Sequence, residues 1–301
     1  AQTDLGWAKR EAGDNEAALS LALEAVTSIE QLRTEIASTD LRAAYQASVT
    51  RAYELAIHAL MDMGDTIAAL EMTERYRAKS LVDAWSQGRP EREVAVPANL
   101  LAERANALAA INNARTAHLR GEVDPPINAM LAKPDAAPGA HDSRAPDPLK
   151  MTEMQRLHEP GDVTLLYFLG DRSGYVWAID AEETAVARLD NVDDIDRLAR
   201  QQHKQIQRRG RYEALARDLG KQVLAPIRKQ IETARNVAIV ADGALHYVPF
   251  DILSVADNAP PALGTPPLVY LPSLTTVALS RSLPAPKGKG VAVLAAPVFG
   301  L

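Results

Sequence analysis

A seven-residue segment that occurs twice constrains the fold of this chain more than any other feature. The copies begin at Gly13 and Gly64 and are identical at five of seven positions. In each copy a Gly-Asp pair separates two helical patterns. Glycine adopts the left-handed conformation that ends a helix, and aspartate caps the helix that follows. The sequence therefore predicts two helical hairpins built on the same turn.

The sequence around both copies has the periodicity of amphipathic helices. Strong helix formers (Ala, Leu, Glu, Arg and Gln) dominate the first 120 residues. Apolar residues recur at helical spacing, which predicts helices that pack on one another. The two clearest stripes are Leu19, Ala22, Leu23, Val26 and Ile29, and Tyr53, Ala56, Ile57, Leu60 and Met61.

This hairpin pattern resembles tetratricopeptide (TPR) repeats. The resemblance is imperfect, because the copies stand 51 residues apart, which is not a multiple of the roughly 34-residue TPR period. The helix predicted over 39–63 is also longer than a repeat helix. We interpret residues 1–120 as TPR-like α-helical hairpins. The alternative is a generic helical bundle with a chance repeat.

Prolines mark the boundary of this helical region. A further helix is predicted over 97–119, and a proline-rich linker over 121–147. The residues from 148 to 301 then form a separate domain. The prolines of the boundary are Pro125, Pro126, Pro134, Pro138, Pro146 and Pro148.

Beyond the linker the pattern alternates between strands and helices, which predicts an α/β layer architecture. An antiparallel meander is followed by two helices and a short buried strand. The fold class of the whole chain is therefore α + α/β. The predicted segments are a short helix over 148–158, strands over 163–169, 175–180 and 185–189, helices over 192–209 and 212–231, a strand over 236–240, a helix that starts at Ser273 and a strand over 291–296.

The segment that follows the buried strand predicts a structural turn. Asp-Gly favours a tight turn, and a proline forces the residue before it into an extended conformation. Leu245 and Phe250 are expected to fold back onto the core, with a histidine between them in an apolar setting. The turn motif consists of Asp242, Gly243, His246 and Pro249.

Together with several other segments, this turn resembles the N-terminal half of a CHAT domain. CHAT domains are caspase- and separase-like cysteine peptidase domains that often follow TPR repeats, so the resemblance implies a caspase-like α/β sandwich. The segments that carry it are Ser38–Arg42, Glu74–Leu81, Leu165–Leu169, Val237–Leu253, Tyr270–Leu274 and Val293–Phe299.

The resemblance implies that the parent protein is a cysteine endopeptidase. Its catalytic His and Cys would lie at strand ends beyond the matched segments, and this chain contains no cysteine. We therefore predict that the chain alone is an inactive fragment, and we assign no residue a catalytic role. His246 is interpreted as structural. One alternative is a non-catalytic interaction scaffold, and a weaker one is a phosphate-handling enzyme, for which no glycine-rich loop is present.

Composition limits the partners and cofactors. The net charge of −6 and the 5% aromatic content disfavour nucleic-acid binding. No window is apolar enough for a membrane span, and no histidines stand at metal-ligand spacing. We predict no cofactor, and a protein or peptide partner for the helical repeats. The cytoplasm is favoured, although the compartment stays open because the chain begins at Ala1 and not at Met.

A basic run follows the meander. It has two interpretations: a patch for an anion or acidic partner, or a solvated helix face balanced by four preceding aspartates. The second is favoured, because the chain as a whole is acidic. The run consists of Arg197, Arg200, Lys204, Arg208, Arg209 and Arg211, and the aspartates are Asp190, Asp193, Asp194 and Asp196.

Overall fold

A computed structural model describes the chain over 2–32, 39–88, 149–171, 173–255 and 266–282. The chain divides into two units, Ala1–Pro148 and Leu149–Leu301. The helix predicted over 97–119, the linker predicted over 121–147 and the strand predicted over 291–296 lie outside the described residues. Within the described ranges, no helix is both long and apolar enough to cross a membrane.

The first unit contains two helical hairpins whose turns have the same geometry. Gly13 and Gly64 adopt φ angles of +83° and +82°, in the left-handed region that glycine tolerates. The carboxylates of Asp14 and Asp65 then accept hydrogen bonds from backbone N–H groups three residues later. The prediction from the repeat is confirmed. The helices are α1 (Gln2–Glu11), α2 (Asn15–Leu32), α3 (Thr39–Asp62) and α4 (Thr66–Gly88).

The two hairpins stack because α1 lies beside α3 and runs in the same direction. Asp4 pairs with Arg51 at 3.2 Å at one end, and Arg10 pairs with Asp62 at 2.7 Å at the other. Small side chains allow the close approach of the helices. The core between the hairpins joins α2 and α3 and consists of Ala18, Ala22, Leu55, Ala56 and Ala59. Stacking of one hairpin on the next is the packing expected of helical repeats.

The second unit is a mixed sheet with helices, so the predicted α + α/β class is confirmed. The sheet has five strands in the order β3-β2-β1-β4-β5. The strands are β1 (Asp162–Leu169), β2 (Gly174–Ile179), β3 (Thr184–Leu189), β4 (Asn236–Val240) and β5 (Leu268–Tyr270). The helices are α5 (Met151–Gln155), α6 (Val192–Gln207), α7 (Glu213–Val223), α8 (Arg228–Ile231) and α9 (Leu274–Ser282).

The sheet topology combines the predicted meander with parallel strands. β1, β2 and β3 pair antiparallel in chain order. β4 returns to pair parallel with β1, and β5 pairs parallel with β4. Such a return requires a long crossover, which here passes through β2, β3 and the helices α6 to α8.

The prediction of a single helix over 212–231 is wrong. The chain instead forms α7, a 3₁₀ turn over Ala225–Ile227, and α8. Pro226 causes the break, because its ring blocks the preceding helical turn and it has no N–H to donate. The helix predicted over 192–209 ends at Gln207, just before Arg209 adopts a positive φ of 53°.

Both faces of β1 are buried, which explains why most of its side chains are apolar. Val163, Leu165 and Tyr167 lie in the main core with residues of α6 and α7. On the opposite face, Thr164 is bonded to His158, which follows α5. The sheet therefore has covering groups on both sides.

The side chain of His158 links α5 to β1 through hydrogen bonds. Because this side chain is titratable, we expect the stability of the protein to depend on pH. Its Nδ1 lies 2.9 Å from the Met154 carbonyl oxygen, and its Nε2 lies 2.7 Å from Thr164 Oγ1. Because a carbonyl only accepts, Nδ1 carries the proton in the neutral ring. Burial lowers the pKa of His158 below its ordinary value of 6.5, although the Met154 carbonyl opposes this shift.

A His158→Gln variant tests this prediction by removing the titration. The unfolded chain binds the proton first as the pH falls, so the wild type loses stability as the pH drops below about 6.5, towards the lowered pKa of the folded protein. Urea unfolding at pH 7.5 and pH 5 should show a larger loss of unfolding free energy in the wild type than in the variant. Equal losses would contradict the prediction.

Candidate functional site

The carboxyl ends of the parallel strands form the candidate site. β1, β4 and β5 run in the same direction, so Leu169, Val240 and Tyr270 end at one edge of the sheet. After β1 the chain moves to β2 on one side, whereas after β4 it moves to β5 on the other. The crevice between such diverging connections is where open α/β sheets bind ligands.

Asp242 bridges this crevice between β1 and β4. Its Oδ2 accepts a hydrogen bond of 2.7 Å from the backbone N–H of Leu169, the last residue of β1. A carboxylate acceptor makes this bond stronger than one between neutral groups. Gly243 follows with a φ of +52°, a conformation that suits glycine. The predicted Asp-Gly pair therefore lies where the two connections separate.

The rest of the turn is a 3₁₀ helix over Gly243–Tyr247. Leu245 and Phe250 are fully buried, and Val248 is extended before Pro249, as predicted. His246 is exposed, so the apolar setting predicted for it is wrong. The short turn directs Ala244 and Leu245 towards the core, which leaves the next side chains facing outwards.

Tyr270 holds the far end of the turn. Its hydroxyl accepts a hydrogen bond of 2.8 Å from the Phe250 N–H and lies 3.4 Å from the Val248 carbonyl oxygen, to which it donates. Burial raises the pKa of Tyr270, although the Phe250 N–H opposes this shift. Phe250 lies between Tyr167 and Tyr270, with ring centroids at 5.4 Å and 6.3 Å. The turn is thus fixed to β1, β4 and β5.

The chemistry available at this edge is limited. The sequence has no cysteine, so these residues supply no thiol nucleophile. Ser273, which follows β5, is buried, and its hydroxyl accepts a hydrogen bond of 3.0 Å from the Thr276 N–H at the start of α9. Across the described part of the chain, no group of three or more His, Asp or Glu side chains is placed to hold a metal ion.

The sequence analysis missed the hydroxyl contacts of Tyr270. The strand β5 was not predicted either, and the available signal was the position of this tyrosine at the start of Tyr270–Leu274, one of the segments that resemble a CHAT domain. The four motif residues Asp242, Gly243, His246 and Pro249 do lie in one continuous turn. Their role as a structural support stays a prediction.

Removal of the Asp242 carboxylate is expected to loosen the end of β1. An Asp242→Ala variant leaves the Leu169 N–H without this acceptor, at a cost of about 1–3 kcal/mol. Hydrogen–deuterium exchange should show faster exchange in peptides that cover 165–171. Asp171→Ala, which changes an exposed aspartate in the adjacent loop, is the control and should leave these peptides unchanged. Equal exchange in the two variants would contradict the assignment.

Comparison with known proteins identifies the region that contains this turn. The family model described as CHAT domain matches residues 213–300. The matched range includes α7, β4, the turn after β4 and β5, whereas β1 to β3 precede it. No curated protein matches the chain at a significant level. As the resemblance predicted, the chain therefore matches the CHAT domain family over residues 213–300.

Proposed function

We propose that this chain is the scaffold-bearing part of a CHAT-type cysteine peptidase, joined to helical hairpins that bind a protein or peptide. The observation that carries the proposal is the CHAT match over 213–300. The matched sequence builds β4 and its turn, at the edge of the sheet where α/β enzymes place their reactive groups. The comparison gives a match to the CHAT domain model, and the peptidase activity is our inference from that match.

The catalytic pair would come from sequence outside these 301 residues. A cysteine peptidase needs a thiolate and a neighbouring imidazole, and the absence of cysteine excludes that pair within the chain. The carboxyl edge of β1, β4 and β5 would then support further strands that carry the pair. In this arrangement Asp242 and Tyr270 are positioning residues, because each holds backbone and neither is offered as a reactant.

The helical unit supports the binding half of the proposal. Its hairpins stack through α1 and α3, and stacked hairpins present extended surfaces to partner proteins. Several large apolar side chains of this unit remain exposed, and a partner that covered them would bury apolar surface. They are Leu5, Leu23, Met63 and Ile67.

The absence of cysteine also favours a second candidate, a non-catalytic scaffold built on the same fold. The two candidates predict different coding sequences. A peptidase requires a His-Gly segment and then a strand that ends in cysteine, whereas a scaffold requires neither.

The coding sequence beyond the codon for Leu301 distinguishes these candidates. The peptidase proposal expects an open frame that encodes the His-Gly segment and the cysteine. A frame that stops at this codon, or that continues without the pair, would overturn the peptidase proposal and support the scaffold. This test does not depend on the helical hairpins, so their binding role is tested separately by capture of partners with the isolated full chain.

A further inference from the structure

The basic run begins on α6 and continues past its end at Gln207, and only its first two cations are neutralised by ion pairs. Arg197 pairs with Asp194, and Arg200 pairs with Asp196 at 2.7 Å. These contacts are the balance that the sequence analysis favoured for the whole run. The two ion pairs neutralise only Arg197 and Arg200, the first two cations of the run.

The remaining four cations are exposed. Among the residues that the structure describes, no ion pair neutralises any of them. The nearby carboxylate of Glu213 accepts a hydrogen bond from the Tyr212 backbone N–H. We call these cations the basic cluster; it consists of Lys204, Arg208, Arg209 and Arg211.

The basic cluster borders the turn at the candidate site. α6 carries His203 next to Lys204, and the His203 ring lies 5.2 Å from the ring of Tyr247. Tyr247 ends the 3₁₀ turn that follows Asp242, and it is 52% exposed. The exposed Tyr247 ring thus packs on the residue that immediately precedes Lys204, at the start of the basic cluster.

The spacing of the cations indicates the shape of their ligand. The Arg208 N–H still donates to the Lys204 carbonyl at 3.2 Å, so the two side chains project from the same face of one helical turn. Four residues of α-helix rise about 6 Å. In an extended peptide, alternate side chains share a face and lie about 6.6 Å apart. Acidic residues at alternate positions would therefore match Lys204 and Arg208.

We propose that the basic cluster and Tyr247 bind an extended peptide segment with acidic residues at alternate positions. The acids pair with Lys204 and Arg208, and an adjacent apolar side chain packs on the Tyr247 ring. A peptide fits better than a nucleic acid, because the chain carries a net charge of −6 and repels a long polyanion. This inference goes beyond the proposed function and does not depend on peptidase activity.

Fluorescence anisotropy with the full chain tests the proposal directly. The probe is a fluorescein-labelled peptide of alternating Glu and Val that ends in Tyr, and its partner probe has Gln in place of each Glu. We expect the Glu peptide to bind and the Gln peptide to bind at least about tenfold more weakly. Binding of the Glu peptide should weaken as the salt concentration rises.

Charge reversal locates the site. Lys204→Glu with Arg208→Glu should weaken binding of the Glu peptide by about tenfold or more. The matched control is Arg156→Glu with Lys229→Glu, which changes the net charge equally at exposed positions that precede β1 and β4. It should change the affinity by less than about twofold. Circular dichroism establishes that each variant is folded, and Lys204→Gln with Arg208→Gln replaces the reversal if it is not.

Three results would overturn the proposal. The two charge-reversed variants could lose affinity equally, the Gln peptide could bind as tightly as the Glu peptide, or a single-stranded oligonucleotide could bind more tightly than either. The last result would assign the basic cluster to nucleic acid.

Discussion

Phe250→Ala is expected to lower the unfolding free energy of the second unit by about 3–5 kcal/mol. Phe250 is fully buried, and its ring lies between those of Tyr167 and Tyr270. Truncation removes apolar contacts and leaves a cavity that β1 and β5 cannot close. Alanine keeps the backbone N–H that donates to the Tyr270 hydroxyl, so the expected loss reports the packing of the ring alone.

Phe250→Leu is the control for this prediction. Leucine keeps most of the buried volume, so its cost should be less than that of alanine. Urea unfolding is followed by the fluorescence of Trp177, after Trp7 and Trp85 are replaced by phenylalanine. Trp177 is fully buried in β2 and reports the second unit. A loss below about 1 kcal/mol for Phe250→Ala would contradict the packing described for this ring.

Gly220→Ala is expected to destabilise the second unit by about 1–3 kcal/mol. Gly220 lies in α7, where alanine normally stabilises a helix by about 1 kcal/mol relative to glycine. Here a Cβ would lie 2.9 Å from the carbonyl carbon of Ser254 and closer still to its oxygen. Since backbone cannot move aside as a side chain can, the substitution pushes α7 away from the segment that follows Phe250.

Gly210→Ala provides the matched control, because the nearest atoms to its Cβ belong to the flexible side chain of Gln205. That side chain can rotate, so the substitution should cost less than Gly220→Ala. The same Trp177 fluorescence assay compares the two variants. A stabilising effect of Gly220→Ala would show that α7 and the Ser254 backbone are not in contact.

Local signals in the sequence predicted much of the fold. Gly13 and Gly64 predicted the two turns, because only glycine adopts the φ angles of these turns at low cost. The short run over 236–240, apolar after Asn236, predicted a buried strand, and β4 has those bounds. Ser273 predicted the start of α9, where its hydroxyl accepts a backbone N–H. Each of these features depends on residues that are close in the sequence.

Features that depend on distant residues could not be predicted. The bond from the Leu169 N–H to Asp242 joins groups 73 residues apart, and no local pattern encodes it. The exposure of His246 follows from how its turn sits on the core. For the candidate site, the sequence identified the turn but not the contacts that hold it.

Peptide hydrolysis by the protein expressed from the complete reading frame is the decisive test of the proposed peptidase. The substrates are a fluorogenic peptide library and labelled casein, and the matched control replaces the proposed catalytic cysteine by alanine. We expect hydrolysis by the wild type and its loss in this variant, with the fold retained. Hydrolysis that survives the substitution, or a folded wild type that cleaves nothing, would contradict a CHAT-type cysteine peptidase.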